Sequence, residues 1–172
     1  MSSFKVLLLL FPAVIFSFRQ GQTYVITPGV GTEKLLVEKT KISKAFQILG
    51  KNDKFSEGIA DGADFAIHTY RYIYTKRGIT ICSEVYEPKG EDLANAVISS
   101  IEFEEPASAT LKNGVELGTG TYGMIIAKFG QPNSKEEYSN STLLHFHKKG
   151  ISFTIDKPSG RIAKIQVYKA DL

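Results

Sequence analysis

Tyr72-Ile73-Tyr74-Thr75-Lys76-Arg77-Gly78-Ile79-Thr80-Ile81 returns later in the chain as Leu144-His145-Phe146-His147-Lys148-Lys149-Gly150-Ile151-Ser152-Phe153, a shift of 72. Both stretches run large apolar, variable, aromatic, variable, two basic residues, Gly-Ile, variable, apolar. Each reads as a β-hairpin whose glycine follows two basic residues, as a type I turn closed by a left-handed glycine requires. A unit met twice in this way predicts a chain built by internal duplication.

The match extends outward in both directions. Upstream, Thr40 to Gly50 corresponds to Gly120 to Gly130 at a shift of 80; downstream, Ile98 to Phe103 corresponds to Ile162 to Val167 at a shift of 64. The falling shifts place about eight additional residues in each of two loops of the first copy, where insertion costs little. In the first upstream segment Ile42, Ala45, Phe46 and Leu49 form one helical stripe. Thr40 is expected to cap that helix and Gly50 to close it. In the second, Tyr122, Ile125, Ile126 and Phe129 form the stripe. Gly120 stands where the cap would be, Gly123 lies inside, and Gly130 and Pro132 end the helix.

Strands are expected at Tyr70 to Thr75, Gly78 to Tyr86 and Ala96 to Phe103, and again at Leu143 to His147, Gly150 to Ile155 and Arg161 to Tyr168. Pro88-Lys89-Gly90 and Pro158-Ser159-Gly160 supply turns before the third strand of each set. Thr23 to Thr27 reads as a short strand ended by Pro28-Gly29-Val30-Gly31. Segment 51–68 is ambiguous, with Gly58, Gly62 and several Asp arguing for a loop. The predicted fold is α+β: two tandem helix-plus-three-strand repeats, 23–103 and 104–172, packed as one domain on an antiparallel sheet with the helices on one face.

Strand alternation separates the two faces. Tyr72, Tyr74, Ile79, Ile81, Ile101 and Phe103, with Leu144, Phe146, Ile151, Phe153, Ile165 and Val167, belong under the helices. The other face carries Arg71, Ile73, Thr75, Thr80, Cys82, Ser100, Glu102, Leu143, His145, His147, Ser152, Thr154, Lys164 and Gln166. That mixture is expected to be a wetted or partner-binding surface.

Composition bounds the function. The 172 residues are 42% hydrophobic, enough for a core, and the formal net charge of +3 comes without a basic run of the kind that marks nucleic-acid binding. Lys5 followed by the apolar run Val6 to Phe16 and the polar Arg19-Gln20-Gly21-Gln22 reads as a secretory signal over residues 1–22. From Val6 to Phe18 the run is 13 residues, roughly 20 Å of helix, too short to span a bilayer comfortably. Export to the periplasm or medium is therefore expected, with no stable membrane span after signal removal. Cys82, the single cysteine, can form no intramolecular disulfide and reads as a small residue buried in a strand.

His145 and His147, two apart on a strand, point to one side and are half of a zinc site. No third ligand is apparent, since His68 falls in the other repeat, so no metal or cofactor is expected. Glu102, Glu104 and Glu105, like Glu136 and Glu137, lie at strand or helix exits where solvated carboxylates are ordinary. No Gly-x-Ser-x-Gly elbow, His-Glu-x-x-His helix or P-loop is present. Gly118-Thr119-Gly120 reads as a turn leading into a helix.

Gly118 through Phe129-Gly130-Gln131-Pro132, and its weaker copy Val37 through Gly50, resemble a group of exported bacterial tandem-repeat proteins. The group includes the β-lactamase-inhibitor proteins and small outer-membrane-assembly lipoproteins. The resemblance covers most of residues 30–168 and implies a non-catalytic protein-binding scaffold. The functional expectation is an exported binding protein, not an enzyme, whose partner is a protein or envelope component. Its open sheet face or hairpin tips would engage that partner, with Arg71, Ile73, His145, His147 and Lys164 as candidate contact residues. The alternative expectation is a small-molecule or metal-binding protein of the cell envelope.

Overall fold

The computed structural model describes residues 23–61, 66–86 and 93–171; the expected signal and the Pro88-Lys89-Gly90 turn lie outside the described residues. In chain order these form β1 (Thr23–Ile26), α1 (Ile42–Leu49), β2 (Lys54–Asp61), β3 (Ala66–Tyr74), β4 (Ile79–Tyr86) and β5 (Ser100–Glu104). They continue as β6 (Ser108–Leu111), α2 (Tyr122–Phe129), β7 (Ser134–Glu137), β8 (Ser141–Phe146), β9 (Ile151–Asp156) and β10 (Arg161–Tyr168). Eight strands make one antiparallel sheet in the order β2-β3-β4-β5-β10-β9-β8-β7, while β1 and β6 pair in parallel. The chain is thus α+β. Among the described residues no helix is long and apolar enough to cross a membrane.

Each helix is followed by four strands of the large sheet, not the three expected. The additional ones are β2, inside the ambiguous segment 51–68, and β7. Both are edge strands with a single partner. An edge strand needs no continuous apolar face, so Gly58 in β2 and the wholly exposed Ser134–Glu137 hide their period.

The alternation of the inner strands is obeyed throughout. All twelve residues assigned to the helix-covered face are buried, and they join Ile26 of β1 and Leu111 of β6 in one hydrophobic cluster. Phe46 of α1 meets Tyr72 edge-on, with centroids 5.2 Å apart. Phe129 of α2 sits 5.4 Å from Phe146 and 5.2 Å from Phe153. Both helices therefore press aromatic side chains onto the same side of the sheet, the offset and edge-on contacts that aromatic pairs favour.

The caps differ from expectation. Thr40 does not cap α1; its Oγ1 accepts the Leu36 N–H at 2.8 Å, and the N-cap residue Lys41 makes no side-chain cap bond. The turn ahead of α1 has claimed the hydroxyl. In α2 it is Thr121 that caps, accepting the Met124 N–H at 3.4 Å. Gly50 closes α1 with φ 83°, donating to the Phe46 carbonyl.

Both hairpin tips are single 3-10 turns, Thr75–Arg77 and His147–Lys149, so His147 opens the tip and does not end β8. Gly78 (φ 62°, ψ 35°) and Gly150 (φ 63°, ψ 42°) then take the left-handed conformation. A Cβ at Gly78 would collide with the Glu104 carbonyl, and one at Gly150 with the Tyr168 carbonyl. Each glycine carbonyl also accepts from that same neighbour, Glu104 N–H at 2.9 Å and Tyr168 N–H at 3.1 Å. The close crossing of the central strands over the tips is what demands glycine.

Candidate functional site

On the face away from the helices, one row of residues runs in register across all eight strands: Lys54, Ile73, Thr80, Glu102, Gln166, Ser152, His145 and Ser134. Directly opposed residues of antiparallel strands share a face, so the row fixes which side chains are neighbours. Ile73 and His145 lie on it, far apart. Arg71 and Lys164 lie in the rows on either side, Arg71 opposite Cys82 and Lys164 opposite Glu104.

The centre of this face is not wetted, contrary to the alternation-based expectation. Thr80, Cys82, Ser100, Glu102 and Ser152 are all buried. Longer neighbours lie over them. Gln166 Nε2 donates to Ser100 Oγ at 3.3 Å, and Ser152 Oγ donates to Gln166 Oε1 at 3.3 Å. Arg71 Nη2 and Lys164 Nζ each donate to Glu102 Oε2 at 3.0 Å.

Glu102 is the residue that sequence reasoning passed over as a solvated exit carboxylate. It is 7% exposed in mid-sheet, with one cation from each half of the chain on the same oxygen. The available signal was its shared parity with Arg71 and Lys164. Lys164 also lies 3.6 Å from Glu104, giving two cations and two carboxylates in contact. Burial works to lower the Arg71 pKa, but the adjacent Glu102 carboxylate, helped by Cys82 and Glu104, outweighs it and raises the value. Burial, followed by the Glu102 charge, pushes the Cys82 thiol up, away from nucleophilic thiolate chemistry.

His145 and His147 stack face to face, with centroids 5.0 Å apart and planes 9° from parallel. His145 Nε2 lies 3.2 Å from Glu136 Oε1, while its Nδ1 is buried without a partner among the described residues. Tyr168 OH donates to the Ile151 carbonyl at 3.2 Å, leaving its oxygen to accept from His147 Nδ1 at 3.5 Å. His147 Nε2 then accepts from Ser134 Oγ at 3.4 Å. A parallel stack turns ring faces, not lone pairs, toward each other, so the two imidazoles do not converge on one point. Among the described residues no group of three or more His, Cys, Asp or Glu is placed to hold a metal ion. His68 stacks on Tyr70 and pairs with Glu57 on the helix side, away from the pair.

The histidines border a depression of about 600 Å³ whose walls come from both halves: Glu84 and Tyr86 at the end of β4, and His145, His147 and Tyr168 across from them. Glu38, also at its rim, has φ 59°, whereas Gly118 holds the aligned position at φ 79°. Of the five candidate contact residues, the structure joins Arg71 to Lys164 through Glu102 and joins His145 to His147. Ile73 is half-buried, opposite Thr80 and Lys54.

No protein-family model matches the chain, and no curated protein matches its sequence. Its structure is similar to the crystal structure of the uncharacterized protein yfeY from Escherichia coli, with a TM-score of 0.45 and 12% identity, covering 85% of this chain and 99% of that one. At that level the likeness says nothing about ligand or partner.

Proposed function

We propose that this chain is an exported, non-catalytic binding protein that engages a protein or envelope component through its open sheet face. The observation that carries the reading is the depression walled by both halves, bordered by the His145–His147 stack and Tyr168 and reaching the hydrogen-bonded Ser100–Gln166 pair. Its polar groups are tied by hydrogen bonds before any partner arrives, which lowers the ordering cost of association. Arg71 and Lys164, each about a third exposed, keep donors available at the rim of the same face. The resemblance to β-lactamase-inhibitor proteins points the same way.

Two further parts of the reading have their own support. Export rests on Lys5 and the apolar run behind it, and N-terminal sequencing of the protein recovered from culture medium or periplasm tests it. Internal duplication rests on matched main-chain bonds as well as matched residues. Glu38 N–H donates to Ile98 O as Gly118 N–H donates to Ile162 O, and Asp53 N–H to Ile73 O as Asn133 N–H to His145 O.

Affinity capture from the envelope fraction of the source cells tests the main claim. The wild-type protein retains its partner, and the His145→Ala, His147→Ala, Arg71→Ala combination loses it. Lys44→Ala, on the exposed side of α1, serves as the control. Retention by the triple variant, or equal loss in the control, overturns the assignment of this face.

A further inference from the structure

On the opposite, helix-covered side of the sheet, Lys112, Lys128, Lys148 and Lys149 surround a groove of about 500 Å³ floored by Leu111 and Phe129. We propose that this groove binds a phosphate-headed amphiphile, the phosphate among the lysines and the first methylenes of the tail on the apolar floor.

The four lysines come from three separate segments: the turn after β6, the last turn of α2 and the second hairpin tip. None of them has an ion-pair or hydrogen-bond partner among the described residues, and no carboxylate lines the groove. Their charge of +4 exceeds the +3 of the whole chain, so the remainder of the molecule is net −1, and an unpaired group of cations attracts an anion. Unpaired like charges held together repel one another, and a dianion relieves that repulsion. Lysine suits phosphate as a compact, mobile point charge.

The groove has the size of a small-molecule site rather than of a track for an extended chain. Its floor sets it apart from a site for inorganic anions. Phe129 and Leu111 put carbon in the same lining as the four lysines, so an anion bearing a tail gains where a bare anion does not. The hollow beside α1 in the first half is built differently: Ile48 holds the place of Lys128, and Glu33 stands beside Lys34, the one lysine of its lining. Charge has accumulated on one side of a symmetric frame.

Calorimetric titration of the folded protein with octyl phosphate, kept below micelle formation, tests the proposal. Saturable one-to-one binding is expected, about tenfold or more tighter than for inorganic phosphate or for octyl glucoside. Lys128→Glu with Lys149→Glu is expected to weaken it about tenfold or more. The pair Lys76→Glu, Arg77→Glu at the other tip is expected to leave it unchanged. All the substituted lysines of the groove are exposed, so unaltered thermal melts will accompany the loss. Absence of saturable heat, inorganic phosphate binding as tightly, equal loss at the other tip, or tighter binding of octaglutamate each overturns the proposal, the last in favour of an acidic protein segment.

Discussion

Glu102 and Gln166 stand directly opposite each other on β5 and β10, at the centre of the sheet. The match of Ile98–Phe103 with Ile162–Val167 puts them at the same place in the two halves. The side chains are nearly isosteric and differ by one charge. Gln166 links Ser152 to Ser100 in a neutral chain, whereas Glu102 draws in Arg71 and Lys164. Two aligned side chains of nearly equal shape thus serve as a polar spacer in one case and as the anchor of an ion cluster in the other.

Replacing Glu102 with Gln tests what that anchor contributes. The amide fills the same space but leaves Arg71 and Lys164 sharing the Glu104 charge alone. Loss of a buried counter-charge is costly, yet Arg71 and Lys164 are 39% and 33% exposed and water offsets part of it. A loss of about 1–2 kcal/mol is expected, read as a lower urea midpoint at unchanged slope. A midpoint equal to wild type would show that the cluster adds nothing to stability.

The parts of this fold readable in the sequence are those where one physical rule acts alone. Period-2 alternation placed Tyr72, Ile81, Phe146 and Phe153 on the covered face, and glycine after two basic residues located both tips. Rules in competition were not readable. Thr40 looked like a cap because nothing in the sequence shows that Leu36 N–H reaches its hydroxyl first. Glu102 looked solvated because alternation assigns a side but not a depth, and depth here depends on the length of Arg71, Lys164 and Gln166. Strands β2 and β7 lack an apolar period because edges do not need one. The lysine groove was invisible as a unit, since Lys112, Lys128 and Lys148 meet only through tertiary structure.

Tyr74 carries a buried hydroxyl with no partner among the described residues, and the aligned residue of the second half is Phe146. Tyr74→Phe therefore removes an unsatisfied polar atom and is expected to leave stability unchanged or to raise it by up to about 1 kcal/mol. Burial pushes the Tyr74 pKa from 10.0 up to about 12. The folded state thus holds this proton more tightly than the unfolded state. The resulting stability is complete below pH 10 and is lost as pH rises toward 12. Melting temperatures followed across that range are expected to fall less steeply in the Phe variant; an identical slope would refute the assignment.

Gly150→Ala addresses the hairpin tip. The position has φ 63°, and a Cβ would meet the Tyr168 carbonyl as well as the Gly29 Cα at 2.6 Å, all of it backbone. Neither the conformation nor the neighbours can yield cheaply. A loss of at least about 2 kcal/mol is expected from denaturant titration. Gly114→Ala is the contrast, because its φ of 85° is also left-handed but nothing lies within 4 Å. It isolates the conformational part, about 1 kcal/mol. Equal losses at the two sites would mean that the crowding at Gly150 is relieved without cost.

The exposed edge strand β7 gives the acid-side prediction. Glu137 accepts from Thr142 Oγ1 at 2.9 Å and pairs with Lys135 at 2.7 Å and Lys157 at 2.9 Å. Hydrogen bonds from Lys135, then Lys157 and Thr142, hold its carboxyl down from 4.5 to about 2. With the folded pKa depressed, the linked stability is present above about pH 4.5 and is lost as pH falls toward 2. Carboxyl chemical shifts followed by NMR are expected to place the Glu137 midpoint below the ordinary glutamate value of 4.5. In Glu137→Gln the melting temperature is expected to decline less between pH 4.5 and 2. Because the group is exposed, 1 M salt should move its midpoint back toward 4.5. A midpoint already near 4.5 at low salt would mean that the Lys135 and Lys157 contacts do not persist in solution, leaving the β7 edge without its paired charges.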